Sequence, residues 1–119
     1  FQELMDAGVY FVQPNVCRVG GPTNMRRIMT LIDLNERMFA PHSWSSIICM
    51  TANMHLMATT RRHYMLEYDI NPSAFREDLV VEPYPFKDGS YTIPGKPGFG
   101  LEPNMKTVEA YTVYSATVK

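Results

Sequence analysis

One arrangement recurs along this chain and limits what it can fold into. A short apolar run ends in a polar residue, and a helical pattern follows. The runs are Val9-Tyr10-Phe11-Val12, Met38-Phe39-Ala40 and Tyr64-Met65-Leu66-Glu67-Tyr68-Asp69, and the polar residues at their ends are Asn15, His42 and Glu67. These residues are separated by 27 and 25 positions. Continuous strand formers such as Val9 to Val12 fit a strand buried on both faces, as in a parallel sheet. In strand-then-helix proteins the chemistry gathers at the carboxyl ends of the strands. His42 falls there, in Phe39-Ala40-Pro41-His42-Ser43-Trp44. A histidine satisfied by a loop hydrogen bond is the competing reading of that position.

The intervening segments read as helices. After Gln13-Pro14-Asn15 stops the first strand, Gly20-Gly21 permits a tight turn and Thr23 offers an N-cap. The spacing of Met25, Ile28, Met29 and Ile32 predicts an amphipathic helix over about 23–37, with Arg26, Thr30, Asp33 and Arg37 on its polar face. A second helix is expected from Ser45 or Ser46 to Thr60. It is apolar almost all round, so it should be buried on more than one side, with methionines as flexible filler and His55 as a core histidine. Arg61, Arg62 and His63 then complement its dipole. At the other end of the chain, Phe1, Leu4 and Met5 have helical spacing and Gly8 suits a C-cap. That helix opens on an apolar residue with no N-cap and no initiating methionine, so a fragment of a longer protein is expected.

After Asn71-Pro72 prolines and glycines become frequent. Val80-Val81-Glu82-Pro83 reads as a short extended piece, and Lys87-Asp88-Gly89-Ser90 as a turn leading into Tyr91-Thr92-Ile93. Gly95 to Gly100 lacks the order and context of a phosphate-binding glycine motif. Met105 to Val118 reads as a short helix turning into a strand.

Composition removes several function classes. A net charge of -1 over 119 residues argues against a nucleic-acid face or a polybasic membrane anchor. No apolar run approaches the roughly 20 residues that span a bilayer. No signal peptide is legible, and Cys17 and Cys49 have neither metal-ligand nor redox spacing, so a reduced, cytoplasmic pair of small hydrophobes is expected.

The strand-end spacing lies close to the roughly 31-residue repeat of a (β/α)₈ barrel. The fold expected is α/β, about three consecutive units of such a barrel, with polar residues at one rim. There His42 could act as general acid or base, Asn15 could hold its ring, and Glu67 could meet a substrate oxygen. An ion pair with a nearby arginine is the equal alternative for Glu67. Trp44 could wall the site or simply pack.

Four motifs taken together resemble one family. Val12-Gln13-Pro14-Asn15-Val16-Cys17-Arg18-Val19-Gly20-Gly21, Ala40-Pro41-His42-Ser43-Trp44 and Leu66-Glu67-Tyr68 resemble the sixth, seventh and eighth strands of the mandelate racemase and muconate lactonizing enzyme family of the enolase superfamily. Asp88-Gly89 through Leu101-Glu102 resembles the segment that leaves the barrel for the capping domain. The resemblance implies strands six to eight in residues 1–70 and the returning segment in 71–119. It also implies removal of the proton α to a carboxylate with Mg²⁺, His42 as the seventh-strand histidine paired with Asn15, and Glu67 as the glutamate that meets the substrate carboxylate. The family's metal ligands lie on earlier strands, so no metal ligand is expected in this chain. Asn15 stands where the family usually has aspartate. The expected parent is a Mg²⁺-dependent acid-sugar dehydratase acting on a hydroxy-carboxylic acid and forming a homo-oligomer. A racemase or cycloisomerase is the alternative. A catalytically empty chain, or an interaction module, is another.

Overall fold

A computed structural model describes residues 1–117. It opens with α1 (Gln2–Asp6), which ends in a Schellman motif. The Val9 N–H bonds the Leu4 carbonyl and the Gly8 N–H bonds that of Met5, both at 3.0 Å. Gly8 takes a φ of 97°, which a residue lacking Cβ adopts without strain. Met5 is buried beneath this turn, whereas Phe1 and Leu4 are exposed.

Strand β1 (Phe11–Val12) pairs in parallel with β2 (Met38–Phe39). The backbone bonding runs past both ends of that register. Met38 donates to Tyr10, Ala40 to Val12, and His42 to Pro14. The first strand is therefore less buried than its composition predicts. Val12 is inside, but Val9, Tyr10 and Phe11 are exposed. Strand β1 pairs with β2 alone among the described residues, so its other edge has no strand partner there.

Helix α2 spans Pro22–Leu34, starting one residue before the predicted Thr23 cap and ending three before Arg37. Gly21 is the N-cap, with a φ of 95°, and Pro22 occupies the first turn. Proline there has the right φ and loses no useful N–H, so no side-chain cap is needed. Met25 and Ile32 are fully buried, and Ile28 and Met29 pack beside them. At the far end Glu36 turns left-handed, with a φ of 52°.

Helix α3 (Ile47–Met57) is shorter than predicted but keeps its predicted cap, since Ser46 Oγ accepts from the Cys49 N–H. Two cores meet on it. Cys49, Ala52 and Leu56 join Met5, Val12, Val16, Met25, Ile32 and Phe39. Ile47, Met50 and Met54 join Val80 and Tyr84. An all-round apolar helix is stable because it has apolar partners on both sides. His55 sits within it as a structural histidine, 2.9 Å from the Tyr84 hydroxyl, which itself donates to the Phe99 carbonyl. Arg62 does not simply follow the helix. It crosses to α2, with Nε 3.0 Å from Asp33 Oδ1.

The third expected strand does not form a ladder in this chain. One parallel bridge joins Phe39 to His63. The Tyr64 N–H bonds the Phe39 carbonyl, and the Phe39 N–H bonds that of Arg62. Residues 64–70 then run without strand pairing. Beyond them lie α4 (Ala74–Glu77) and a hairpin of β3 (Phe86–Lys87) and β4 (Ser90–Tyr91). The hairpin turns on Asp88 and Gly89, both at positive φ, as a two-residue primed turn requires. Val80 bridges to Pro103, and α5 spans Met105–Tyr111. The strand expected after α5 is absent through residue 117, and the predicted end at Val118 lies outside the described residues. Among the described residues no helix is long and apolar enough to cross a membrane.

Candidate active site

Backbone register brings the three predicted residues together. Phe11 pairs with Met38 and Val12 with Phe39, an offset of 27. Asn15 and His42 are separated by the same 27 positions, so a parallel ladder delivers them side by side. The bridge of Phe39 to His63 sets the next offset at 24. It aligns Glu67 with Ser43 rather than with His42 itself, and the Ser43 N–H donates to Glu67 Oε2 at 2.7 Å. The carboxylate still reaches the imidazole, with Oε2 lying 3.6 Å from His42 Nε2.

The hydrogen-bond network around Asn15 fixes its orientation. Asn15 Oδ1 accepts from the Cys17 N–H at 2.9 Å and the Arg18 N–H at 3.3 Å, and the Cys49 thiol approaches it at 3.8 Å. The oxygen is therefore turned toward its own loop, and Nδ2 lies 2.9 Å from His42 Nδ1. An amide NH₂ only donates, so Nδ1 must accept. The neutral imidazole then carries its proton on Nε2. Sequence left open whether the asparagine donates or accepts; the two loop amides decide it.

That Nε2 proton lacks a full partner. A separation of 3.6 Å is beyond hydrogen-bond range, and Glu67 Oε2 already holds the Ser43 N–H. The histidine side chain is 34 % exposed, while Asn15 behind it is 6 % exposed. One ring edge is thus anchored in protein and the other faces outward. The arginine ion pair considered for Glu67 does not occur among the described residues. Trp44 is largely exposed beside the site rather than packed in the core.

Asn53 belongs to this constellation and was missed in the sequence. It is fully buried in α3, and its Nδ2 donates to the His42 carbonyl at 3.0 Å and to Ser43 Oγ at 2.8 Å. It holds the turn that aims His42 and presents the Ser43 N–H. The available signal was a lone amide inside an otherwise apolar helix, where an unpaired polar group is costly.

The magnesium ion implied by the resemblance finds no cage in these residues. No group of three or more His, Cys, Asp or Glu is placed to hold a metal among the described residues. Glu67 is engaged with Ser43, and Asp69 is engaged with Asn71 and Arg76.

Comparison with known proteins supports the motif reading. Residues 1–107 match the family described as enolase C-terminal domain-like. The chain is 30% identical to the D-galactarolactone cycloisomerase of Agrobacterium fabrum over 93% of its own length, and 34% identical to the D-xylonate dehydratase of Haloferax volcanii over 97%. It spans 32% and 28% of those two proteins, about a third of each. Among solved structures, the 3,6-anhydro-D-galactonate cycloisomerase of Zobellia galactanivorans superposes with a TM-score of 0.83 at 29% identity, covering 92% of this chain and 31% of that one. An enolase from Agrobacterium radiobacter, bound to Na and L-malate, gives 0.80 at 30% identity, covering 98% and 33%. The match over nearly the whole chain and the shared α/β fold make this protein a member of the enolase C-terminal domain-like family, the family of the mandelate racemases and muconate lactonizing enzymes.

Proposed function

We propose that this chain is the carboxyl-terminal part of the catalytic barrel of a Mg²⁺-dependent acid-sugar dehydratase. Residues 1–70 would carry strands six to eight, and residues 71–119 would return toward the capping domain. In this reading His42 is the general acid that protonates the departing β-hydroxyl of a hydroxy-carboxylic acid. Asn15 holds the ring, and Glu67 contacts the substrate carboxylate. Magnesium would be held by carboxylates outside these 119 residues and would supply electrostatic stabilisation there.

One observation carries the reading. Asn15 donates to Nδ1, so the proton of the neutral imidazole sits on the outward nitrogen, where a leaving hydroxyl needs it. A general base would need a lone pair on that nitrogen, which an aspartate partner provides and Asn15 does not. The cycloisomerase relatives favour a second reading, in which His42 delivers its proton to carbon rather than to oxygen.

The test uses the parent enzyme with magnesium and the acids named in its relatives, D-xylonate, D-gluconate and D-galactonate. Loss of water gives a 2-keto-3-deoxy acid, read as a semicarbazone. Product from one of these acids supports dehydration. Isomerisation without a keto acid, followed by NMR, supports the second reading instead.

A further inference from the structure

The two cysteines meet beside the candidate site. The Cys17 N–H and the Cys49 thiol both point to Asn15 Oδ1, at 2.9 and 3.8 Å. The Cys17 side chain is also near enough to that of Cys49 to raise its thiol. Both thiols are free; Cys17 is exposed and Cys49 is buried.

We propose that Cys17 and Cys49 form a peroxide-oxidisable pair that closes to a reversible disulfide, joining the loop after β1 to the first turn of α3. Burial, and then contact with Cys17, push the Cys49 thiol up to about 12, so Cys49 stays protonated and the exposed Cys17 sulfur meets the oxidant. Cys17 sulfur attacks hydrogen peroxide, an S–O bond forms, the O–O bond breaks, and water leaves. Cys49 sulfur then attacks the Cys17 sulfenic acid. The S–S bond forms, the S–O bond breaks, and the hydroxide leaves as a second water with the Cys49 proton. Two thiols have lost two electrons and two protons, and one peroxide has become two waters.

The bond removes the Cys49 S–H from Asn15 Oδ1 and pulls on the loop whose amides orient that oxygen. Turnover should therefore fall on oxidation. This consequence rests on the role proposed for His42, whereas the bond itself does not.

The experiment treats the parent enzyme with hydrogen peroxide and maps its peptides without reduction. The expected result is a cross-linked pair containing Cys17 and Cys49, about 2 Da lighter than the sum of the reduced peptides and abolished by dithiothreitol. Accumulation of sulfinic or sulfonic acid on Cys17, with Cys49 still alkylatable, would overturn the proposal. Cys17→Ser, a surface change, guards against a misfolded Cys49→Ser. It should remove the cross-link and the thiol-reversible loss of turnover, each preparation being compared with its own untreated activity. Equal reversible loss in Cys17→Ser would also overturn it. The peptide map needs no substrate, so failure of the acid-sugar reading leaves that arm intact.

Discussion

The side-chain amide of Asn15 donates to Nδ1 of His42 across 2.9 Å, and two loop N–H groups hold the amide in that orientation. The resemblance puts Asn15 where the family usually has aspartate, and in the proposed reading it does the opposite job. An aspartate would accept the Nδ1 proton and leave the outer nitrogen bare. Asn15 leaves the outer nitrogen protonated.

The first prediction follows from that inversion. In the parent, Asn15→Asp keeps an oxygen toward the Cys17 and Arg18 N–H groups and turns its second oxygen on Nδ1. At pH values where the ring is neutral, its proton should move from Nε2 to Nδ1. Imidazole ¹⁵N shifts report the tautomer directly. Exchange of the substrate α-proton with D₂O should quicken, because the bare Nε2 is now a base. Unchanged ¹⁵N shifts would mean that the two residues are not coupled.

His42→Asn should lower kcat by about 10²–10⁴, the usual contribution of a positioned general acid, with KM nearly unchanged. The proton is needed only as the bond breaks, so the loss belongs to the transition state. A large KM effect with kcat retained would make His42 a binding residue.

Glu67→Gln removes the charge beside the His42 ring. The oxygen that accepts from the Ser43 N–H is also the one that lies 3.6 Å from His42 Nε2, so a glutamine oxygen there keeps both neighbours without the negative charge. We expect a fall in kcat/KM of about tenfold or more, since a charge-assisted contact is lost. Steady-state kinetics on the parent would check it, and a wild-type kcat/KM would reduce Glu67 to a backbone clamp.

Asn53→Leu tests the support beneath the site. The change orphans the His42 carbonyl, but it also removes Asn53 Oδ1, which is buried without a partner among the described residues. These effects oppose each other, so stability should drop by only about 1–2 kcal/mol. Turnover should fall more than that implies, by about tenfold, because the His42–Ser43 turn loses its anchor. Thermal melts and kinetics on one preparation separate the two.

Much of this arrangement was legible in the sequence because parallel pairing converts spacing into contact. The 27-residue interval between Asn15 and His42 matches the register of β1 with β2, so the pair could be found without coordinates. The helical pattern around Met25 and Ile32 was equally readable, since it states its own buried face. Three features were not. The cap of α2 is a glycine followed by a proline, a backbone solution that competes invisibly with Thr23. Glu67 aligns with Ser43 because of a one-residue difference in register, which apolar patterning does not resolve. The exposed face of Val9 to Phe11 depends on what pairs with the other edge, and that is a tertiary fact rather than a propensity.

The two-sided burial of α3 also sets an order of events during synthesis. Its Cys49 side can pack as soon as β1, α2 and β2 are present. Its Ile47, Met50 and Met54 side must wait for Val80 and Tyr84, which are translated later. A nascent chain paused near residue 70 would display a stripe of methionine and isoleucine on the helix that carries Asn53, the kind of surface that holdase chaperones bind. The helix that anchors the His42 turn is closed in on its second side only when Val80 and Tyr84 arrive.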